Sequence, residues 1–341
     1  MPVYAEPPVR LTWSLGPAMP QYRKGGVLGT VSGKVIYAGG MQNPWREPEE
    51  SLAFDPKTGA WSATAPLPIG PSYTSGTSTG HALYVVSGRN AEGRCFRLTG
   101  DGAQWTWTEL PRLRQPRVFA AVAVVGDWLI AAGGGWGMMY GAFDPTPVST
   151  VEGLDLAQTD RGWQELPHYP GIDRPGAFGA ACAGKLYMFG GYRCMQDGMQ
   201  APDGFIARNL CPRLADAYSY DPATRQWTRL ADLPTELSGG SAVTIADRYI
   251  VLLGGSHMSA EASRFSFEGE TVGGYNDRVY VYDTRDDTYH VLADPLPAGV
   301  NDIRACVLGD SIYAAGGESI DKRTSNTVNL LQVARVTLVG R

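Results

Sequence analysis

The sequence predicts an all-β fold: a six-bladed propeller whose last blade is closed by the N-terminal strand. Two observations carry this expectation. The first is composition. Of 341 residues, 43 are glycine and 24 proline, while charged residues make up only 18%. An excess of turn-formers with a deficit of charge runs against a helical bundle. A hydrophobic share of 43% runs against disorder and supports a large core. The second observation is a repeat. Six times an apolar, β-prone run ends in a pair of small residues: Val35–Gly40, Leu83–Gly88, Leu129–Gly134, Leu186–Gly191, Ile250–Gly255 and Ile312–Gly317. The closing glycines are 48, 46, 57, 64 and 62 residues apart. A period near 50 is that of a four-stranded propeller blade.

Each element follows in order. A partner strand precedes each run across a tight turn, as at Ser32–Lys34, Gly126–Asp127, Ala183–Lys185, Ala246–Arg248 and Gly309–Asp310. Small residues and residues tolerant of left-handed backbone suit short hairpins. After each glycine pair comes a longer connection and a third strand, such as Ser51–Asp55, Asp216–Asp221 and Arg278–Asp283. A fourth strand then opens on Trp61, Trp107, Trp163, Trp227 or Tyr289 and runs to a Leu-Pro pair. The predicted blades span about 22–68, 72–111, 117–167, 174–234, 238–297 and 300–336 of a single domain. The sixth lacks a fourth strand, and the segment around 10–20, with Trp13 and a terminal Met19–Pro20, supplies it. Such a ring leaves no open sheet edge to invite aggregation. The glycine pairs and the aromatics are read as packing residues. Gly133–Gly137 has no following helix or Lys-Ser/Thr and is not a phosphate loop. The repeat resembles kelch along nearly the whole chain, a resemblance that speaks to fold and not to function.

Strand polarity divides the loops. Turns between first and second and between third and fourth strands share one face and are short. The connections after the glycine pairs and into each next blade share the other face and are long. Rigid scaffolds usually carry function on such loops. Arginines and aromatics gather there: Trp45, Arg46, Arg89, Arg117, Trp136, Tyr192, Arg193, Arg208, Arg213 and Arg304, with Asn301 and His257. Net charge is −5, which gives no field for nucleic acid or an anionic membrane. A locally basic rim on an acidic chain points to a small anionic ligand, because the planar guanidinium binds a carboxylate through two parallel hydrogen bonds. The alternative for each arginine is a pairing with loop acids such as Glu47, Glu92 or Asp197.

Neither a metal site nor a cofactor is expected. Four histidines are scattered through the chain, and no G-x-S-x-G elbow is present. Five cysteines without a CxxC pair favour free thiols, with Cys194–Cys211 as the one conceivable bridge. No apolar run approaches a membrane span. The N-terminus lacks the pattern of a signal peptide, so the chain as written reads as cytoplasmic, or as periplasmic if an export signal has been removed.

The last third is more specific. Leu237–Val243, Leu252–His257, Asn276–Asp283, Leu292–Pro297 and Val300–Ser319 together are similar to the bacterial N-acetylneuraminate epimerase, or sialic acid mutarotase, family. The shared points are a Gly-Gly opening to the fifth blade, Arg304–Ala305 leading into the sixth, and Gly316–Gly317–Glu318. The resemblance implies a six-bladed kelch propeller that interconverts anomers of a sialic acid or related acidic sugar without a cofactor. A base takes the anomeric proton, the ring oxygen is protonated, and the ring opens and recloses. One carboxylate contributes about 10²–10⁴ to such a rate. Glu318 is the first candidate acid/base, with a salt bridge to Arg304 or Arg323 as its structural alternative. Asp302 and Glu236 come next. Substrate binding is expected from Arg46, Arg89, Arg117, Arg193, Arg213, Arg304, Tyr192, Asn301 and His257. In the fourth blade the family places a glutamate after the glycine pair and an arginine soon after. Here Tyr192 follows Gly191, and Arg213 comes after a long insertion. The rival expectation is a non-catalytic kelch module that binds a protein or glycan through the same face.

Overall fold

A computed structural model describes residues 7–42, 46–136, 146–193, 213–257, 275–321 and 324–339. Trp45, Cys194, Asp197, Arg208, Cys211 and Arg323 lie outside the described residues. Six four-stranded antiparallel sheets form six blades. Blade 1 is Lys24–Val31, Lys34–Met41, Leu52–Asp55 and Ala60–Ala63. Blade 2 is Ser75–Ser78, Leu83–Val86, Cys95–Gly100 and Trp105–Leu110. Blade 3 is Ala121–Val125, Trp128–Ala132, Val151–Asp155 and Gln164–Leu166. Blade 4 is Phe178–Cys182, Lys185–Phe189, Ala217–Asp221 and Gln226–Leu230. Blade 5 is Ser238–Ile245, Tyr249–Ser256, Tyr280–Asp283 and Thr288–Val291. Blade 6 takes Arg304–Leu308, Ser311–Ala315 and Leu331–Leu338 from one end of the chain and Val9–Leu15 from the other. Trp13 sits opposite Ala334 in that last pairing. Two short ribbons, Gly135–Trp136 with Thr146–Pro147 and Glu318–Asp321 with Thr324–Thr327, extend the long connections. Among the described residues there is no α-helix, hence none long and apolar enough to cross a membrane.

The core is divided rather than central. Six clusters of buried apolar side chains each fill one junction between neighbouring blades. Val9 and Leu11 thus pack with Val251 and Val281 of blade 5, because successive side chains of a strand point to opposite faces of its sheet. In blades 1 to 4 the aromatic read as opening the fourth strand fastens the blade to the one before it. Trp61, Trp107, Trp163 and Trp227 donate their indole N–H groups to the carbonyls of Pro17, Ala65, Pro111 and Pro167.

The glycine pairs close the ring on the long-loop face. Gly40, Gly88, Gly134, Gly191, Gly255 and Gly317 donate their N–H groups to Pro71, Arg117, Arg174, Leu237, Val300 and Arg23 of the following blade, at 2.8–3.0 Å. All six hold φ between 85° and 122°, and a Cβ on Gly317 would lie 2.5 Å from the Asn301 carbonyl. Only glycine satisfies both conditions.

Candidate functional site

Where each innermost strand begins, on the long-loop face, one residue per blade adopts left-handed backbone: Gly25, Tyr73, Phe119, Gly176, Gly239 and Asp302, with φ of 48–75°. Backbone hydrogen bonds link them into a collar at the channel mouth. Asp302 N–H donates to Gly239 O (2.7 Å), Gly239 to Gly176 (3.0 Å), Gly176 to Phe119 (2.9 Å), Phe119 to Tyr73 (3.1 Å) and Thr74 to Gly25 (3.0 Å). Glycine occupies this place in three blades. Tyr73, Phe119 and Asp302 occupy it at a cost of about 1–2 kcal/mol each. Strain of this kind clusters at functional sites.

Asp302 is buried, 6% exposed, and among the described residues no hydrogen-bond donor reaches its carboxylate. Burial raises its pKa to about 6, and the Glu318 carboxylate pushes it the same way, against opposing pulls from Arg304, Lys24 and Arg213. Glu318 stands beside it in a different environment. Its Oε2 lies 2.5 Å from Lys24 Nζ, and its Oε1 accepts from the Tyr275 hydroxyl at 2.9 Å and from Asn301 Nδ2 at 3.1 Å. Reciprocal backbone bonds between Asn301 and Glu318 hold the two loops together. Two neighbouring carboxylates therefore differ: one is paired and hydrogen-bonded, the other buried without donors among the described residues. Divergent environments of this kind separate acid/base roles.

Across the mouth, the Tyr73 and Phe119 rings meet at 4.8 Å. Burial raises the Tyr73 phenol pKa, and the Asp302 and Glu318 carboxylates raise it further. The half-buried Phe119 ring lines the channel beside Gly176 and Gly239. From the junction of blades 4 and 5, Arg213 stacks over Tyr192 at 5.6 Å, and its Nε donates to Ser256 Oγ at 3.1 Å. The insertion between Tyr192 and Arg213 therefore does not separate them: they form a β-bridge.

The structure thus gathers Glu318, Asp302, Asn301, Arg213 and Tyr192 around the collar. Arg304 lies lower, inside the channel, with its Nε donating to Gly26 O at 2.7 Å. The ion pair weighed for Glu318 exists, but its cation is Lys24 and not Arg304. Other expected ligand residues are elsewhere. Arg117 is buried, with its guanidinium committed to Glu152, Thr150 and the Gly133 carbonyl. Arg23 and Arg174 repeat this contact with the carbonyls of Gly39 and Gly190, so Arg117 belongs to a structural series that clamps the glycine pairs. Arg46 is exposed and pairs with Glu50, and Arg89 pairs with Glu47. Arg193 is exposed, while Glu236 and His257 are half-buried, and no contact among the described residues ties these three to the carboxylate pair. The sequence reading missed Lys24, Tyr73, Phe119 and Tyr275. Aligning the six strand starts gives the missing signal for two of them: Tyr73 and Phe119 stand where three other blades have glycine.

Fold and collar define the class: a kelch-type six-bladed propeller with an acidic pair and cations at one mouth. Comparison with known proteins adds a resemblance to the N-acetylneuraminate epimerases. The family model for N-acetylneuraminate epimerase matches residues 148–265. The match begins in blade 3, nearer the N-terminus than the motifs indicate, and stops short of Asp302 and Glu318. The Kelch-like protein terF of Aspergillus terreus is 25% identical over 258 residues, 72% of this chain and 52% of that protein. The N-acetylneuraminate epimerase of Yersinia enterocolitica is 39% identical over 103 residues, 30% of this chain and 24% of that protein. A kelch domain-containing protein of Vibrio cholerae is 34% identical over 104 residues, covering 30% and 26%. The chain therefore spans about half the length of the first relative and about a quarter of the other two.

Proposed function

We propose that the collar binds a small acidic sugar of the sialic acid class and interconverts its anomers by opening and reclosing the ring. The observation behind this reading is Asp302, a buried carboxyl with a pKa near 6 and, among the described residues, neither oxygen committed to a donor. In ring opening the anomeric hydroxyl loses a proton, the bond from anomeric carbon to ring oxygen breaks, and the ring oxygen gains a proton. A single carboxyl performs both transfers: one oxygen takes the anomeric proton while the other delivers its own to the ring oxygen. Closure on the opposite face of the carbonyl reverses the exchange and restores Asp302, so no co-reactant is consumed. A group half-protonated near the working pH suits this task. Glu318, with its oxygens held by Lys24, Tyr275 and Asn301, sets the field at Asp302. Arg213, fixed by Ser256 and Tyr192, takes the sugar carboxylate, and Phe119 offers its ring to the apolar face of the sugar.

The matching relatives named only for kelch repeats support a second reading, in which the rim binds a protein or glycan without chemistry. Trp136, 39% exposed, and the exposed Arg46 and Arg193 favour it. Proton NMR separates the two readings. Pure α-N-acetylneuraminate mixed with the protein is expected to reach anomeric equilibrium far faster than in buffer. Exchange at the buffer rate overturns the mutarotase reading for this sugar.

A further inference from the structure

Below the collar the channel continues to the short-turn face, where it widens into a cavity of about 480 Å³. This volume lies within the range of small-molecule pockets. Thr77, Val124, Ala181, Thr244 and Val307 ring it, each half-buried at its own blade's innermost strand. Arg304 borders this cavity and the smaller one above it. Among the described residues it is the sole charged group lining the lower cavity. Its Nε and Nη1 donate to the carbonyls of Gly26 and Ile303, which fixes the guanidinium in place. No carboxylate among the described residues forms an ion pair with it, and Asp302 acts on it only at longer range. This contrasts with Arg117 and Arg174, whose buried guanidinium groups meet Glu152 and Asp216. A guanidinium held in a narrow channel without a contacting counter-charge attracts an anion strongly, because partial desolvation strengthens the interaction. One cation matches one anionic group. Thr30, Thr77, Ser78, Thr79, Ser241 and Thr244 line it beside apolar residues such as Val124 and Val307, which matches a compact body that offers both apolar and hydrogen-bonding surface.

We propose that the lower channel is a second ligand site, separate from the collar, for a small organic monocarboxylate whose charge is met by Arg304. The site does not depend on the reaction assigned to Asp302, because its occupant enters from the opposite face.

Calorimetric titration of the full chain with sodium benzoate tests this, with benzamide as the uncharged match. Benzoate is expected to bind one-to-one and benzamide at least tenfold more weakly. Arg304→Gln should weaken benzoate at least tenfold. Val124→Phe fills the cavity without touching Arg304 and should weaken it comparably, while leaving sugar turnover at the opposite mouth unchanged. The second variant keeps the test decisive if the first unfolds. Absence of benzoate binding to the unaltered chain overturns the proposal, as does equal binding of benzamide or undiminished affinity in Val124→Phe.

Discussion

Replacing Asp302 with Asn should make the protein more stable at neutral pH while stopping its chemistry. Asn has nearly the shape of Asp and tolerates the left-handed backbone of this position, so the exchange tests charge alone. The carboxyl moves from 3.8 to about 6 on folding. At about 1.4 kcal/mol per unit, keeping it ionised in the folded state costs on the order of 3 kcal/mol. The sign is opposite to that of a salt-bridged carboxylate. The native form binds the proton more tightly than the unfolded chain does, so the wild-type protein loses stability as pH rises from about 4 through about 6. The amide of the Asp302→Asn variant never ionises and escapes this loss. Urea unfolding of both proteins between pH 4 and pH 8 should show equal stability at the acid end and a gap of roughly 2–3 kcal/mol favouring the variant above pH 7. Sugar exchange should fall by about 10²–10⁴ in the same protein. A variant less stable than wild type at pH 8, or a gap that ignores pH, would refute the view of Asp302 as a strained, uncompensated carboxyl.

Other outcomes follow from the same geometry. Glu318→Gln removes a charge that raises the Asp302 pKa, so the alkaline limb of the pH–rate profile, where the protonated carboxyl is lost, should move down by about one unit; an unmoved limb separates the two carboxyls. Gly239→Ala places a Cβ 2.4 Å from Asn301 Oδ1 and 3.3 Å from Asp302 Oδ1 at φ +70°. It should cost about 1–3 kcal/mol by denaturant melt and depress sugar exchange well beyond what the folded fraction explains. Trp107→Phe loses the indole bond to Ala65 O and should lower stability by about 1 kcal/mol, with exchange rate per folded molecule intact.

The fold was legible because its determinants are local and repeated. A glycine pair at a fixed distance from a hairpin turn, followed by an opening aromatic, sets each blade without reference to the rest. The site was half legible. Glu318, Asp302 and Asn301 follow one glycine pair or precede the strand that carries the same pair, so the repeat itself brings them to one face. Lys24 was hidden because its partner lies 294 residues away across the ring junction. The ordering of Glu318 over Asp302 rested on placement alone. The proposed reading puts Asp302 first on burial and hydrogen bonding, and neither is visible in a string of letters. Arg117 misled for a related reason. A basic residue at the start of an innermost strand looks the same whether it faces the lumen, as Arg304 does, or turns back to clamp a glycine carbonyl.

The pairing of Val9–Leu15 with Leu331–Leu338 has a consequence for how the molecule is made. Val9–Leu15 has no sheet to join until Leu331–Leu338 has been made. Through most of translation the growing arc presents two unfilled flanks, one waiting on Val9 and Leu11 and the other on blade 6. Closure of this blade is then the meeting of two segments far apart in sequence, a slow and aggregation-exposed event. Substitutions that weaken this seam, such as Leu11→Ala, should reduce the yield of native protein in the cell more than they reduce the stability of molecules already closed.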